Sequence, residues 1–486
     1  MKRRFQLGCL GVWVFGCLAA LAIPPETYYI DYGAADDSAD GLSTSTPWKY
    51  HPYMSPFSGS YTHTAGDSFI FKGGVTWPAA AFPMTIPAGG SSNGTRDLYG
   101  ADASWYSGGS WSRPVFDFEN TWVGGFGIQV NGVDYITFAD LDIKRHRGRW
   151  KSEGGWFGTF TLQIYGEADG ITVTNCWIRD WSLSMPWSGL GNDDDGNSGG
   201  ILVIASGSGG DDMVFINNLF TQENAPGGYR GGVALKGGGL IFSNEFRVLC
   251  DALVGGGTVV SNRFTDIQDA TDLSLHEDVM YCTANAIVAA NYISNCVAAA
   301  PVIYLEPNRA STSGETLVYN NVVFNTGYPP ISVDLGGAND GSPLTIKIFN
   351  NTVEHGGSSC IRVADRNNPL GSLQITNNHF VTSAEPYDIA AGEVESLTSA
   401  NNVTNTASAA NSVGATEANS LQVTNTSWAG YETGFNLSGV FTKDFWGATR
   451  TVPWSVGYAL IGDSEAPPED PPAAVVSTRI GKLILR

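Results

Sequence analysis

Apolar and polar positions along most of the chain follow one short repeated pattern. A strand of alternating character runs into Asn, and a second strand follows, headed by an aromatic or aliphatic residue. It reads ITVTNCWI around Asn175, FINNLF at Asn218, IFSNEF at Asn244 and VVSNRF at Asn262. It continues as VAANYI at Asn291, VYNNVV at Asn321, IFNNTV at Asn351, ITNNHF at Asn378 and TSANNV at Asn402. Upstream, ITFADLDI puts Asp140 in the same slot. From Asn175 onward the intervals are 43, 26, 18, 29, 30, 30, 27 and 24 residues. Alternation over a few residues predicts β-strands, and a repeat of this length predicts a solenoid with one coil per repeat. An antiparallel sandwich with Asn-rich loops is the alternative, but sandwiches do not repeat one motif at one pitch. Asn suits a tight bend because it tolerates left-handed backbone and bonds backbone groups locally. In stacked coils each amide can also bond the amides above and below it.

Composition adds to this picture. Charged residues make up 15% of the chain and aromatics 12%, with 60 glycines, a balance that favours strands and turns over helices. The formal charge is −21, and removing Lys2, Arg3 and Arg4 with a leader takes −21 to −24. Such a chain is repelled by phosphate backbones and anionic lipid, which argues against nucleic acid or membrane partners. Residues 1–22 read as a signal peptide. Lys2, Arg3 and Arg4 precede an apolar run from Phe5 to Ala20, and Ala20-Leu21-Ala22 offers a cleavage pattern before Ile23. A membrane anchor and a lipoprotein site at Cys17 are the alternatives. The expected location is therefore secreted, extracellular or periplasmic, with no membrane insertion of the mature chain. Cys176, Cys250, Cys282, Cys296 and Cys360 remain after the leader, and their spacing is not that of a metal site. They read as small core fillers, with a Cys282–Cys296 disulfide as the other option.

The Asn bend resembles that of the pectate-lyase-like β-helix superfamily over about residues 100–410. That resemblance implies an all-β, right-handed parallel β-helix. YYIDYGAADDSADGLSTSTPW and AGDSFIFKGGVTW look like the opening of many secreted β-helix proteins, in which a short strand and helix cap the first coil. DFWGATRTVPWSVGYALIG is similar to their closing segment. The expected organisation is a cap and first coil over 23–100, the β-helix over 101–462, and an acidic Pro-rich linker and tail over 463–486. In the family, the strand before each Asn belongs to the second sheet and the strand after it to the third. The loop beyond leads to the first sheet, whose outer side carries the substrate groove. On that scheme Val233, Leu235, Ile303, Leu305, Ile331, Val333, Ile361 and Val363 point inward. Gln163, Tyr165, Lys236, Tyr304, Glu306, Asp334 and Arg362 then point outward.

Three loops before first-sheet strands carry candidate chemistry. The segment 143–156 contains Lys144, Arg145, Arg147, Arg149 and Lys151 beside Trp150 and Trp156. Guanidinium for carboxylate or sulfate, and indole for the sugar face, suit an anionic polysaccharide. A solvated loop balancing local acid is the alternative. The second loop carries Trp187 and the run Asn192 to Asn197, where Asp193 and Asp195 offer oxygens suited to Ca²⁺. A solvated acidic turn is the alternative there. The third loop delivers Tyr229 and Arg230 ahead of Lys236.

Two enzymatic readings and one binding reading remain open. VALKGGGLIFSNEF is similar to the stretch bearing the catalytic lysine in the chondroitinase B and alginate lyase family. That similarity makes Lys236 the base of a β-elimination and Arg230 the neutraliser of the uronate carboxylate. The sequence departs from the family at Val254, where an arginine is expected, and lacks the family's calcium-binding glutamates. In the second reading Glu306 and Asp334, on neighbouring coils, are the carboxylate pair of a glycoside hydrolase. His276, Glu277 and Asp278 add acid and base groups to it. The third class is a non-catalytic glycan-binding solenoid such as an adhesin.

Overall fold

The computed structural model describes residues 24–148, 159–182, 198–205, 212–225, 233–268, 279–297, 301–305, 314–334, 344–364, 370–452 and 454–458. The expected signal peptide and the 463–486 tail lie outside these residues. Apolar side chains recur at every second position of most strands, so a coil buries one side of its strands against the interior. The coils stack by parallel pairing throughout, from Thr27–Ile30 against Ser68–Phe71 to His379–Val381 against Val403–Asn405. The result is a right-handed parallel β-helix, the hand that parallel crossovers take almost without exception. It has three faces. The third is a sheet of 12 strands, while the first and second merge into a sheet of 22. They merge because Asp251–Val260 and Met280–Ala289 run unbroken through the corner between them.

The interior is filled by columns of like residues. On the first face Leu162, Ile201, Leu235, Leu253, Met280, Ile303, Ile331 and Ile361 follow one another in register, all fully buried. On the third face the rings of Phe220, Phe246 and Phe264 stack at 4.7 and 4.8 Å. All five cysteines are buried and none closes a disulfide. Burial pushes the thiols of Cys176, Cys296 and Cys360 up to about 12, as befits core fillers.

The Asn rungs form one continuous line at the corner between the second and third faces. Each Nδ2 donates to the next Oδ1 at 2.9–3.1 Å, from Asn218 through Asn244, Asn262, Asn291, Asn321, Asn351 and Asn378 to Asn402. The same Oδ1 also receives the backbone N–H of the preceding rung, as Asn321 does from Asn291 at 3.0 Å. The second Nδ2 proton goes to a carbonyl of the coil before, as from Asn291 to Val259 at 2.9 Å.

The left-handed bend falls one residue earlier than expected. The left-handed residue is the one before each rung, including Asn217, Ser243, Ser261, Ala290, Asn320, Asn350, Asn377 and Asn401, with φ between 51 and 59°. Asn175 (φ 52°) and Asp140 (φ 61°) occupy this left-handed position, not the ladder. Cys176 takes the rung instead and donates its N–H to Asn218 Oδ1 at 2.9 Å. Doubled asparagines such as Asn217-Asn218 fill both positions, which hides the one-residue difference in sequence.

The ends differ from each other. Thr27–Ile30 extends the second face, but residues 31–67 form turns and bridges, so the helix expected in the cap is absent from this described segment. Aromatic packing closes that end, with Tyr28 stacked on Trp48 at 4.8 Å and His51 buried against Phe69. At the other end residues 407–458 return along the outer corner. Phe441 and Trp454 pack on Phe349, while Phe445 and Tyr458 pack on Val322 and Phe324. Backbone carbonyls of Lys443, Ser455, Gly457, Phe435 and Thr433 take up the left-handed Asn320, Asn350, Asn377 and Asn401 amides.

Asn291 is fully buried, and truncating it orphans the Asn262 N–H and the Val259 carbonyl. Asn291→Ala should therefore cost about 2–5 kcal/mol, since each buried orphan costs roughly 1–3. Urea unfolding with an unchanged slope would show it. A loss below about 1 kcal/mol would contradict a cooperative ladder.

Candidate functional site

Because the side-chain period is two, every outward position of the first face is aligned by the inter-coil register. One row runs Gln129, Gln163, Leu202, Lys236, Val254, Tyr281, Tyr304, Ser332, Arg362 and Asp388, each paired with the next. Lys236 therefore points outward, flanked along the row by Leu202 and Val254. Five coils separate it from Arg362, roughly 24 Å at ~4.8 Å per coil. Between them the rings of Tyr281 and Tyr304 lie 5.2 Å apart.

Asp334 stands two residues beyond Ser332 and is only 7% exposed. The Tyr304 hydroxyl donates to its Oδ2 at 2.9 Å, which fixes the carboxylate beside the row. Its expected partner Glu306 lies outside the described residues. So do Arg230, Tyr229, Arg149, Trp150, Trp156, Trp187, Asp193 and Asp195, and with them His276, Glu277 and Asp278. Among the described residues there is no cluster of acidic, His or Cys side chains able to hold a metal ion.

The described part of the basic segment is not on this face. Asp142–His146 is a third-face strand, paired with Val115–Thr121 on one side and Trp177–Arg179 on the other. Arg147 continues that face through a bridge to Ser182. Arg145 closes on Asp117 through Nε at 2.7 Å and through Nη2, and Lys144 approaches the same carboxylate at 3.5 Å. Asp117 is 4% exposed, so these cations neutralise a buried acid. The acid sits 28 residues upstream, on the preceding coil, and the local sequence gives no hint of it. Neighbouring Arg179 is likewise spent on Asp142 and Asp180.

At the C-terminal end of the row, around Arg362, which the sequence offered as an outward substrate-binding residue, lies a cleft whose other lining residues sequence reasoning missed. It has a volume of about 610 Å³ and is lined by residues of three successive coils, among them Thr326, Tyr328, His355, Gly357, Arg362 and Asp388. Arg362 donates through Nη1 to the Tyr328 hydroxyl at 3.2 Å, and its Nε stands 4.0 Å from Asp388. The Thr326 hydroxyl donates to the Tyr328 carbonyl at 3.2 Å and lies 3.3 Å from His355 Nδ1. With the hydroxyl proton on the Tyr328 carbonyl, the second contact takes its proton from Nδ1, the tautomer that leaves Nε2 as an acceptor. Burial holds the His355 imidazole below its ordinary pKa, so it is neutral at pH 7. The wall from Gly356 to Ser358 is fixed from the next coil by the hydroxyls of Thr382 and Ser383.

No protein family matches the chain, and no curated sequence does. Solved structures similar to it include a pectate lyase, Pel9A, at 12% identity and a TM-score of 0.40, over 90% of this chain and 96% of that one. A rhamnogalacturonan lyase is similar at 12% identity and 0.41, over the same shares of the two chains. The GH136 lacto-N-biosidase from Eubacterium ramulus is similar at 12% and 0.39, over 78% of this chain and 68% of that one. The strand pairing itself makes the fold a parallel β-helix. Likeness at this level concerns coil architecture and carries no information on activity.

The pairing of Arg145 with Asp117 has a measurable consequence. Burial alone would raise the Asp117 pKa, but hydrogen bonding from Arg145 and from the Glu119 N–H outweighs it and leaves the group below the ordinary carboxylate range. A depressed folded pKa gives stability that is fully present above the unfolded value and is lost as pH falls through the folded one. Arg145→Ala should thus destabilise the fold at pH 7 and by progressively less below about pH 4. Retention on an anionic glycan column should not change. A pH-independent stability loss, or lost retention, would contradict this assignment.

Proposed function

We propose that this is a carbohydrate-active β-helix that binds an anionic polysaccharide along the first face and cleaves it by β-elimination. The observation that carries the proposal is the single outward row from Lys236 to Arg362. A linear sugar chain lying along it would run from one cation past the paired rings of Tyr281 and Tyr304 to a second cation. β-Elimination on a uronate needs the carboxylate neutralised, a base for the adjacent ring proton and an acid for the leaving oxygen. Lys236 is the proposed base and Arg230 the proposed neutraliser. A guanidinium close to the ammonium disfavours a second positive charge and favours the neutral amine that abstraction requires. The proposed site of action is outside the cytoplasm, following the leader-like N-terminus. If calcium is required, Asp193 and Asp195 are its proposed ligands.

One observation supports a second reading. Asp334, nearly buried and held by the Tyr304 hydroxyl, has the fixed geometry a hydrolytic carboxylate needs, with Glu306 as its proposed partner. About four coils, or roughly 19 Å, separate Asp334 from Lys236 at ~4.8 Å per coil, so the two cannot share one reaction centre.

The test is a panel of acidic and neutral polysaccharides, read by ultraviolet absorbance of unsaturated uronate and by new reducing ends. Elimination predicts unsaturated product that Lys236→Ala abolishes, by about a hundredfold or more if general-base catalysis is lost. Lys236→Arg should rescue little, because guanidinium gives up its proton far less readily. Reducing ends without unsaturation, lost in Asp334→Asn and kept in Lys236→Ala, would replace elimination with hydrolysis. Glycan retention without any product would leave a binding protein.

A further inference from the structure

We infer that the cleft at the C-terminal end of the first face is a binding site for a single carboxylated sugar, with Arg362 holding the carboxylate and His355 a ring hydroxyl. The inference deepens the reading above and rests on the first face being the glycan surface.

Three features point to it. Arg362 commits Nη1 to Tyr328 and Nε to Asp388, while Nη2 has no partner among the described residues. Tyr328 holds the guanidinium plane in place from the coil before, so its free edge is presented in a set orientation. A carboxylate is the group whose shape matches that edge.

The second feature is His355, which is 6% exposed yet reaches the cleft. Nδ1 is bound to Thr326, and Nε2 has no hydrogen-bond partner among the described residues. Its immediate surroundings are open: a Cβ built on Gly357 would lie 3.7 Å from Nε2, with no other atom within 4 Å of it. A neutral imidazole with a vacant lone pair accepts a hydroxyl proton and offers nothing to a carboxylate oxygen. The two groups therefore divide the ligand between them, anion on Arg362 and hydroxyl on His355.

The third is size and charge. A volume of about 610 Å³ admits a sugar ring with room to spare and lies within the usual range of small-ligand pockets. Asp388 opposes an anion, but its side chain is 68% exposed and its ion pair with Arg362 is long, so solvent screens it. That opposition supplies a test of its own.

D-Galacturonate and D-galactose differ at one carbon and serve as probes, titrated calorimetrically into the full chain at pH 7. Galacturonate should bind more tightly than galactose. Arg362→Ala should weaken galacturonate by about tenfold or more and leave galactose unchanged, as expected for loss of a charged hydrogen bond. Arg362→Lys should recover part of the loss. Asp388→Asn should tighten galacturonate only, and His355→Leu should weaken both sugars while His355→Gln weakens them less. Equal affinity for the two sugars, or no response to Arg362→Ala, overturns the inference. Lys236→Ala separates it from the elimination reading. Arg362-dependent galacturonate binding with no unsaturated product from any glycan leaves this site and removes the reaction. Unsaturated product with galacturonate binding indifferent to Arg362 does the opposite.

Discussion

The structure depends on the buried asparagine ladder. In a β-helix whose coils vary in length, apolar alternation forbids a slip of one residue, which would turn each inward row outward, but not a slip of two, which keeps it inward. The rungs remove that freedom. Each Oδ1 accepts a side-chain and a backbone N–H from the preceding coil, as Asn262 does from Asn244 at 3.1 and 2.9 Å. A slipped coil would leave these groups unpaired where no water reaches, at about 1–3 kcal/mol each. Intervals between rungs run from 18 to 30 residues between Asn218 and Asn402, and the ladder holds through all of them. Insertions are therefore confined to the loops.

The proposed functional surface follows from this constraint. With register fixed at one corner, the opposite side of each coil must present its outward residue in line with its neighbours. Lys236, Tyr281, Tyr304, Ser332 and Arg362 form a row for that reason, although they are scattered over more than a hundred residues of sequence. Residues 407–458 cover the outside of the ladder corner and bond its second line of asparagines. The described part of that covering is on the second and third faces, away from the first-face row.

Much of this was legible in the sequence, because the governing signals are local and periodic. Alternation gave the inward and outward sets of the first face, and Ile303, Tyr304 and Leu305 lie as that rule requires. Where a signal depended on a partner a coil away, reading along the chain failed. Arg145 and Lys144 read as part of a basic loop, but they stand on a third-face strand and pair with Asp117 a coil away. Asn175 looked like a rung, but it sits one residue early and Cys176 takes its place. The cleft was missed for the same reason. Tyr328 follows rung Asn321 by 7 residues, Arg362 follows Asn351 by 11 and Asp388 follows Asn378 by 10. Counting residues from each rung would have brought these three side chains toward one corner, but their mutual bonds appear only in three dimensions.

The central claim is that the ladder-aligned row on the first face is a glycan groove. The most direct test is a crystal structure of the full chain soaked with an acidic oligosaccharide such as tetragalacturonate. The claim predicts sugar rings lying parallel to the helix axis along the first face, over Tyr281 and Tyr304, with a carboxylate on the Arg362 guanidinium. Ordered sugar confined to the third face, where the Arg113 guanidinium lies 4.5 Å over the Trp177 ring, would contradict it.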